Sequence, residues 1–333
     1  MAGYLELSDA EQVEALRPVA LEAADRFGLE VAGLQPVIHA YNTTFAVDTV
    51  AGRRYALRVG TNSSSTAAHV LAQQEWQRAI AAGTDVVVAE PLTTTGGGWF
   101  AEVASPAIGR PLLVTAASWL DGPDVGVDLS PEVAHALGRT MALLHRQAET
   151  WELPAGGEMP TFDTPLFGDD DLLADTPGLT TERREVLDRA REETGRAFAR
   201  LHQDGAGVRA LHADLHGDNV KWHRGRLAVF DFDDCGLGLP VLDLAVSTFY
   251  LRGGDPAAEQ AMRAGYAQVA PLPDVDPAWF EAVVAARQLL LNNALLSSST
   301  AELRAEAADY LVVGTDRLRR WLTTGTFRRE VCG

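Results

Sequence analysis

Apolar and polar positions follow two different rhythms along the chain. In the first third, short apolar runs of strand type are separated by turn residues such as Ala51-Gly52-Arg53. Ser8 and Glu11 form a capping-box pair, which predicts a helix through about Phe27, and a second helix is predicted over residues 67–82. The predicted strands lie at 33–41, 43–50, 54–59, 86–92, 99–104 and 112–119.

The remainder of the chain repeats its apolar positions at helical spacing. Val133, Leu137, Met141 and Leu144 show this spacing in the first such segment. The predicted helices lie at 130–151, 181–204, 240–251, 257–269, 277–296 and 301–323.

One predicted strand pair, at 220–223 and 227–230, interrupts the helical part. Pro, Gly and Asp cluster at Asp121-Gly122-Pro123-Asp124, which is typical of a boundary between structural units. Because strands and helices are segregated along the chain, the pattern predicts an α+β fold. We predict an N-terminal unit of residues 1–118 and a C-terminal unit of residues 119–333.

Composition narrows the possible partners of the protein. Its net charge of −18 argues against a nucleic-acid partner, because nucleic-acid phosphates require clustered cations, and it leaves room for a cationic substrate. No apolar stretch approaches the roughly 20 residues of a membrane span. Residues 1–9 lack the basic and apolar segments of a secretory signal, and only Cys235 and Cys332 are present. We therefore predict a cytoplasmic protein without a disulfide framework or a membrane partner.

One stretch of the helical part combines residue types that carry chemistry. It reads Leu211-His212-Ala213-Asp214-Leu215-His216-Gly217-Asp218-Asn219, and Val229-Phe230-Asp231-Phe232-Asp233-Asp234 follows it. Kinases use one carboxylate to orient and deprotonate a hydroxyl, and an amide oxygen with a second carboxylate to hold Mg²⁺ on ATP. If Arg224-Gly225 forms a hairpin turn, Asn219 lies opposite Phe230 or Asp231, with Asp214 one loop away. The spacing therefore predicts a kinase site.

Neighbouring residues allow more than one interpretation. Asp233 is either a second metal contact or a plain loop carboxylate. We expect His212 to brace the loop backbone through a hydrogen bond, and we consider an accessory catalytic role for His216.

The same stretch resembles the signature of the aminoglycoside phosphotransferase-type enzymes. This superfamily also includes choline kinases, the second type of homoserine kinase and a stress-response protein kinase. Its signature is His-Gly-Asp-x-His-x-x-Asn, an apolar strand that ends in Asp, and an Asp-Leu helix start, which correspond here to residues 212–219, Asp231 and Asp243-Leu244. Ala213 replaces the usual glycine. The run of residues 231–234 is most similar to the branch of the stress-response and homoserine kinases.

The resemblance implies a two-lobed, protein-kinase-like fold with a small β-rich N-lobe and a larger helical C-lobe. It also implies ATP- and Mg²⁺-dependent transfer of a phosphoryl group to a hydroxyl. Asp214 is then the catalytic base, Asn219 and Asp231 bind magnesium, and Asp243 is an N-cap or a loop brace.

In the N-lobe the resemblance places a strand cation on the ATP phosphates. Arg58 occupies that position, and no lysine competes for it, since Lys221 is the only lysine and lies in the other lobe. Arginine serves the role because it stays charged and binds phosphate bidentately. Glu75 is its predicted partner.

Two further segments are candidates for nucleotide binding. The turn with Asn42, Thr43 and Thr44 is predicted to contact phosphates, with an ordinary hairpin turn as the alternative. Trp119 and Leu120 lie where the interlobe hinge of the family is expected, and their backbone would bind the adenine edge.

The sequence leaves the acceptor open. A small-molecule acceptor would be an amino alcohol, a hydroxy amino acid, or an aminoglycoside or other antibiotic. An acidic loop would either receive a cationic acceptor or be solvated; its acidic residues are Asp163, Asp169, Asp170, Asp171 and Asp175.

Other functions are also open at this point. A protein Ser/Thr kinase is the main alternative, although residues 235–240 lead straight into a helix with no extended activation segment. A zinc metallohydrolase that uses His212, Asp214 and His216 is a second alternative. The third is an inactive nucleotide-binding module.

Overall fold

The computed structural model describes residues 2–63, 65–126, 128–174, 176–177, 179–203 and 207–330. The strands of its N-terminal third are β1 (Val31–His39), β2 (Thr43–Thr49), β3 (Arg54–Val59), β4 (Val87–Val88), β5 (Ala101–Ser105) and β6 (Arg110–Ser118). All of these except β4 form one antiparallel sheet in the order β1-β2-β3-β6-β5. The helices of this part are α1 (Ala2–Leu5), α2 (Asp9–Arg26) and α3 (Ala67–Gly83).

Helix α2 covers one face of the sheet. Its first turn is closed by the predicted capping box, in which the backbone N–H of Ser8 donates to Glu11 over 2.9 Å. Leu16 of α2 is fully buried and belongs to one apolar cluster with Phe45 and Leu57 of the sheet. This cluster is the core of the N-terminal part.

The C-terminal part is mainly helical. Its helices are α4 (Pro131–Ala148), α5 (Thr181–Gln203), α6 (Val241–Leu251), α7 (Pro256–Ala267), α8 (Pro277–Ser297) and α9 (Ala301–Thr324). Its short strands are β7 (Arg209–Leu211), β8 (Val220–His223), β9 (Arg226–Val229) and β10 (Gly236–Gly238), with a 3-10 turn at Gly217–Asn219. Leu137, Phe198, Phe249 and Leu289 are among the buried side chains that unite these helices in one core.

Helices α4 and α7 approach each other at two glycines. A Cβ atom on Gly138 would lie 1.9 Å from the carbonyl oxygen of Met262, and one on Gly265 would lie 1.9 Å from that of His135. No side chain fits at either position, so glycine fixes the distance between the two helices.

The observed helices and longer strands match the predicted ones closely, whereas several short elements differ. The predicted strand 86–92 shortens to β4, and this strand pairs in parallel with β9 of the C-terminal part. Strands β7 and β10 and helix α1 have no counterpart in the prediction. None of the helices in the described ranges is long and apolar enough to cross a lipid bilayer.

Helix α3 joins the two parts of the fold. Its Trp76 and Ile80 are fully buried in the core of the C-terminal part, although both precede the predicted boundary. Helix α3 therefore contributes to the core of the C-terminal part although it precedes the predicted boundary. The division between residues 118 and 119 stays a prediction.

Candidate active site

The loop between β7 and β8 carries Asp214 and is braced from beneath by Asp243. The carboxylate of Asp243 is completely buried and accepts the backbone N–H groups of Ala213 over 2.7 Å and of His212 over 3.2 Å. It also lies 2.9 Å from Nε2 of His145. Asp243 is therefore the loop brace and not the N-cap of α6, whose N-cap position is Pro240.

These hydrogen bonds hold the backbone in an unusual conformation. Ala213 has a φ of 64°, in the left-handed region that favours glycine. Alanine thus adopts a left-handed conformation at the position where the signature has glycine.

His212 ties this loop to the end of β9. Its Nδ1 accepts the N–H of Asp214 over 3.3 Å, and its Nε2 donates to the carbonyl oxygen of Phe230 over 3.0 Å. The predicted bracing role of His212 is confirmed. Because both ring nitrogens are engaged by backbone groups, His212 is not a zinc ligand in this arrangement. In the part of the chain that the structure describes, no group of three or more His, Cys, Asp or Glu side chains forms a metal site of that type.

Asp214 is partly exposed in a cleft between the two parts of the fold. Its Oδ2 accepts a hydrogen bond from Nδ2 of Asn219 over 2.9 Å, and its Oδ1 contacts Arg287 and lies 3.4 Å from Nε2 of His216. Burial raises the pKa of Asp214, but its interactions with the Arg287 guanidinium and then with the His216 ring outweigh this effect and lower the pKa to about 2. The carboxylate is therefore ionised at neutral pH.

His216 fills the space between Asp214 and Tyr250. Its ring stacks on that of Tyr250 with centroids 3.9 Å apart, and it lies 3.3 Å from Nδ2 of Asn219. This position beside the carboxylate is compatible with an accessory role, which stays a prediction.

The hairpin of β8 and β9 brings Asn219 and Asp231 together as the spacing predicts. Arg224 and Gly225 form the turn, both with positive φ, and Phe230 N–H donates to the carbonyl oxygen of Asn219 over 3.1 Å. Asn219 uses its Nδ2 for Asp214, which leaves its Oδ1 for another partner. An amide oxygen next to a carboxylate is a donor set that suits Mg²⁺.

The carboxylate of Asp233 is held by the N-terminal part of the chain. Asn42 donates to it over 2.7 Å and Gln73 over 3.0 Å, and Arg58 forms an ion pair with it. Arg58 also lies 3.1 Å from Asp231. The arginine thus faces the two carboxylates that follow β9.

Glu75 does not reach this cluster, which corrects its predicted pairing with Arg58. Its carboxylate binds Arg78 over 2.7 Å and the indole N–H of Trp99 over 2.9 Å. Side chains two positions apart on a helix point to different faces, so Gln73 reaches the cluster and Glu75 does not.

The three residues of the turn between β1 and β2 that were predicted to contact phosphates point in different directions. Asn42 points to Asp233, but Thr43 is fully buried and its hydroxyl is engaged by His39 at 2.8 Å and Thr61 at 2.9 Å. The predicted contact between the Thr43 side chain and phosphate is therefore not supported. Thr44 is partly exposed and lies across the strand pair from Arg58.

The predicted hinge residues follow β6. Leu120 is buried with Ala89 and Ala228, and the ring of Trp119 lies 5.4 Å from the guanidinium carbon of Arg54. Binding of adenine by this segment stays a prediction.

The cleft beside Asp214 has a volume of about 590 Å³. Asp214, Arg58, Asp231 and Asp233 all line it. Its acidic rim includes Glu158, Asp169 and Asp234, and its apolar wall includes Phe162, Phe167, Leu290, Leu291, Ala294 and Leu295. Neither this wall nor Arg287 belongs to the predicted site. The signal for Arg287 in the sequence is a single charge within the mainly apolar run 282–291 of α8.

Most of the predicted acidic loop lies away from this cleft. Asp169 lines it, whereas Asp171 is paired with Arg191. Asp163 and Asp170 are exposed to solvent. Asp175 lies outside the described residues.

Residues 34–281 match the model of the phosphotransferase enzyme family, APH. This match covers well over half of the chain. The chain belongs to the phosphotransferase enzyme family.

Individual kinases are also similar to this chain in sequence and in structure. The chain is 24% identical over 229 residues to amicoumacin kinase of Bacillus subtilis (strain 168), a match that spans 68% of this chain and 66% of that kinase, slightly under two thirds of its length. The structure of a microcompartment-associated aminopropanol kinase matches with a TM-score of 0.73 and 24% identity, over 94% of this chain and 100% of that one. An amicoumacin kinase, hAmiN, in complex with AMP-PNP, Ca²⁺ and Ami matches with a TM-score of 0.72 and 20% identity, over 92% and 96%.

These matches confirm the family that the signature residues indicate. They also confirm the α+β, protein-kinase-like fold, with its antiparallel N-terminal sheet and helical C-terminal part.

Proposed function

We propose that this protein is an ATP- and magnesium-dependent phosphotransferase that moves the γ-phosphoryl group of ATP to a hydroxyl group of a small molecule. One observation carries the proposal: Asp214 and Asp231 line a single cleft, and Asn219 is hydrogen-bonded to Asp214 and to the backbone next to Asp231. Its Nδ2 donates to Asp214, and its carbonyl oxygen accepts the N–H next to Asp231. An inactive nucleotide-binding module would have no need for this arrangement.

In this proposal Asp214 orients the acceptor hydroxyl and takes its proton as the new oxygen–phosphorus bond forms. A depressed pKa makes Asp214 a weak base, so its main contribution is orientation of the hydroxyl for in-line attack. Asn219 and its neighbour His216 hold the carboxylate in position.

Asn219 Oδ1 and Asp231 would hold the metal ion, and Asp233 is placed to support it. A bound Mg²⁺ would neutralise charge on the β- and γ-phosphates. Arg58 already lies against both carboxylates and is near enough to turn toward the phosphates when nucleotide enters. The complex of hAmiN with AMP-PNP and Ca²⁺ supports this assignment of nucleotide and metal.

The lining of the cleft supports a small acceptor that is both cationic and partly apolar. Asp169 and Glu158 supply negative charge at the rim, and the second half of α8 supplies an apolar wall. Burial raises the pKa of Asp234 to about 7, so this carboxyl is only partly charged at neutral pH. Residues 235–240 contain only the short strand β10 before α6 begins at Val241, so this region has no extended segment for docking a protein substrate. These features favour a small molecule over the protein Ser/Thr kinase alternative.

A radiolabel assay tests the proposal. The protein is incubated with Mg²⁺, ATP labelled at the γ-phosphate, and a panel of aminopropanol, choline, ethanolamine, homoserine, spectinomycin and amicoumacin, with a mixed protein extract as a separate arm. We expect label on at least one small hydroxyl compound and none on protein.

Two variants test the roles of the carboxylates. Asp214→Asn should lower turnover by about 10²–10⁴-fold with nucleotide affinity retained. Asp231→Asn should weaken Mg²⁺-dependent nucleotide binding. Normal turnover by Asp214→Asn, or label on protein alone, would refute the proposed function.

A further inference from the structure

A buried arginine lies directly beside the proposed base. Arg287 belongs to α8 and exposes only 5% of its surface, yet it lines the cleft. Its Nη2 contacts Oδ1 of Asp214 and donates to the hydroxyl of Tyr250 over 3.0 Å. Asp214 is thus held from α8 as well as from its own loop.

Most of the hydrogen-bonding capacity of Arg287 is unused. A guanidinium has five N–H donors, and only Nη2 of Arg287 finds partners. Its Nε is buried without a partner, and its Nη1 makes no hydrogen bond to any residue in the described ranges. The buried Nε cannot be reached from the cleft, but Nη1 is not fully buried and belongs to a side chain that lines the cleft. Nη1 is therefore a cationic donor placed to bind an anionic group that enters the cleft as ligand.

Two kinds of anionic group would reach this position: one carried by the acceptor, and the phosphoryl group itself. The rim on the acceptor side carries Asp169 and Glu158, which repel an acceptor with its own negative charge. Asp234 adds only part of a charge, because burial and the neighbouring Asp214 raise its pKa to about 7. The phosphoryl group, in contrast, must pass next to Asp214, because Asp214 holds the hydroxyl that attacks it. Geometry and charge together favour the phosphoryl group.

We propose that Arg287 binds the oxygens of the phosphoryl group during its transfer while its Nη2 holds Asp214 in place. This proposal rests on the proposed function. In the transfer, the bond between the γ-phosphorus and its bridging oxygen breaks, and ADP leaves with that electron pair. A bond forms between the acceptor oxygen and phosphorus, and the hydroxyl proton passes to Asp214. Arg287 stabilises the negative charge on the equatorial oxygens, where a preorganised cation is most effective.

The two arginines of the cleft then act from opposite sides. Arg58 extends from β3 toward the carboxylates after β9, and Arg287 extends from α8 toward the base. Arg58 serves nucleotide and metal binding, whereas Arg287 stabilises the phosphoryl group during its transfer. Substitution of Arg287 should therefore leave binding of MgADP largely intact.

A binding experiment tests this without knowledge of the acceptor. Affinity for MgADP is measured by calorimetry with and without fluoroaluminate, which mimics the phosphoryl group in the transition state of the transfer. The wild-type protein should gain affinity when fluoroaluminate is present. Arg287→Met should reduce that gain by about 100-fold or abolish it, with MgADP affinity within about threefold of wild type. Arg287→Lys, which keeps the charge and the fold but loses the planar fork, should retain part of the gain.

Arg252→Met is the matched control. Arg252 is another arginine of the C-terminal part whose side chain is largely covered, but it pairs with Glu259 and Glu281 and does not line the cleft. Its loss should lower stability and leave the fluoroaluminate gain unchanged. In Arg287→Ala, guanidinium chloride should restore part of the gain, and urea at the same concentration should not.

An equal gain in wild type and Arg287→Met would overturn the proposal, and so would a wild type that gains nothing from fluoroaluminate. Failure of the wild type to bind MgADP at all would refute the proposed function itself, and the role of Arg287 with it. The two failures are therefore distinguishable.

Discussion

The two halves of the candidate site are held in different ways. The loop that carries Asp214 is braced within the helical part by Asp243, whose buried carboxylate accepts two backbone N–H groups. The carboxylate of Asp233 is instead held from the other side of the cleft, by Arg58 and Asn42. The position of the base thus depends on the core of one part, whereas the metal side depends on how closely the two parts approach. Substitutions in the first half should change stability, and substitutions in the second should change nucleotide affinity.

The largest effect is expected for Asp243→Ala. This change leaves the N–H groups of His212 and Ala213 without their partner in a fully buried site. We expect the free energy of unfolding to fall by about 3–5 kcal/mol, with loss of turnover, because removal of one member of a buried charged network strands the others. Urea denaturation measures the change in stability.

Asp255→Ala is the control for this variant. Asp255 is an exposed N-cap that accepts the N–H of Ala257 over 2.8 Å, and its loss should cost about 1 kcal/mol. Equal destabilisation by the two substitutions would show that Asp243 is no more than an ordinary cap.

Arg58→Ala should have the next largest effect, on nucleotide binding. Without the guanidinium, the carboxylates of Asp231 and Asp233 lose their shared counter-charge. We expect the KM for ATP to rise roughly 10- to 100-fold, which corresponds to the loss of charge-assisted hydrogen bonds. Arg58→Lys keeps the charge and should recover most of the affinity. A KM for ATP within twofold of wild type in Arg58→Ala would remove Arg58 from the nucleotide site.

Asn42→Ala should have a smaller effect of the same kind. Asn42 connects the turn after β1 to Asp233 and also accepts the N–H groups of Asn62 and Ser63. We expect MgADP binding to weaken about 5- to 20-fold, since one hydrogen bond to a charged group is lost. Calorimetry with and without Mg²⁺ measures the change.

Asn62→Ala separates contact with the site from contact between the two parts. Asn62 accepts the N–H of Ser299 over 2.8 Å and so also joins the two parts, but it touches none of the proposed metal ligands. Its loss should weaken MgADP binding by less than about threefold. Equal effects of the two variants would mean that approach of the two parts, and not the Asn42–Asp233 bond, controls affinity.

The arrangement of Asp214, Asn219 and Asp231 could be predicted from the sequence because its geometry is local. A two-residue turn sets the register of β8 and β9, and register alone places Asn219 beside Asp231. The periodicity of apolar positions likewise predicted the helices, because each buries one face in a core. The short extent of β4 within the predicted strand 86–92 could not be found in this way, since it is set by pairing with β9, far along the chain.

The contacts that the N-terminal part makes with Asp233 join segments far apart in the chain, and the sequence predicted them less well. The pairing of Glu75 with Arg58 was predicted from the family resemblance, and the residues themselves did not show which face of α3 turns toward the cleft. Arg287 was missed for a similar reason, because only the packing of α8 brings it to Asp214.

Substitution of Glu75 should have the smallest effect on nucleotide binding, and it tests which face of α3 contacts the cleft. Its carboxylate bonds to Arg78 and Trp99, outside the cleft, whereas Gln73, on a different face of α3, donates to Asp233 over 3.0 Å. We expect Glu75→Gln to change the KM for ATP by less than about twofold, because the ion pair with Arg78 is a surface pair of small energy. Gln73→Ala should raise that KM by about 3- to 10-fold through the lost bond to a charged acceptor. A larger effect from Glu75→Gln would mean that α3 rotates when nucleotide binds and brings Glu75 to Arg58 after all.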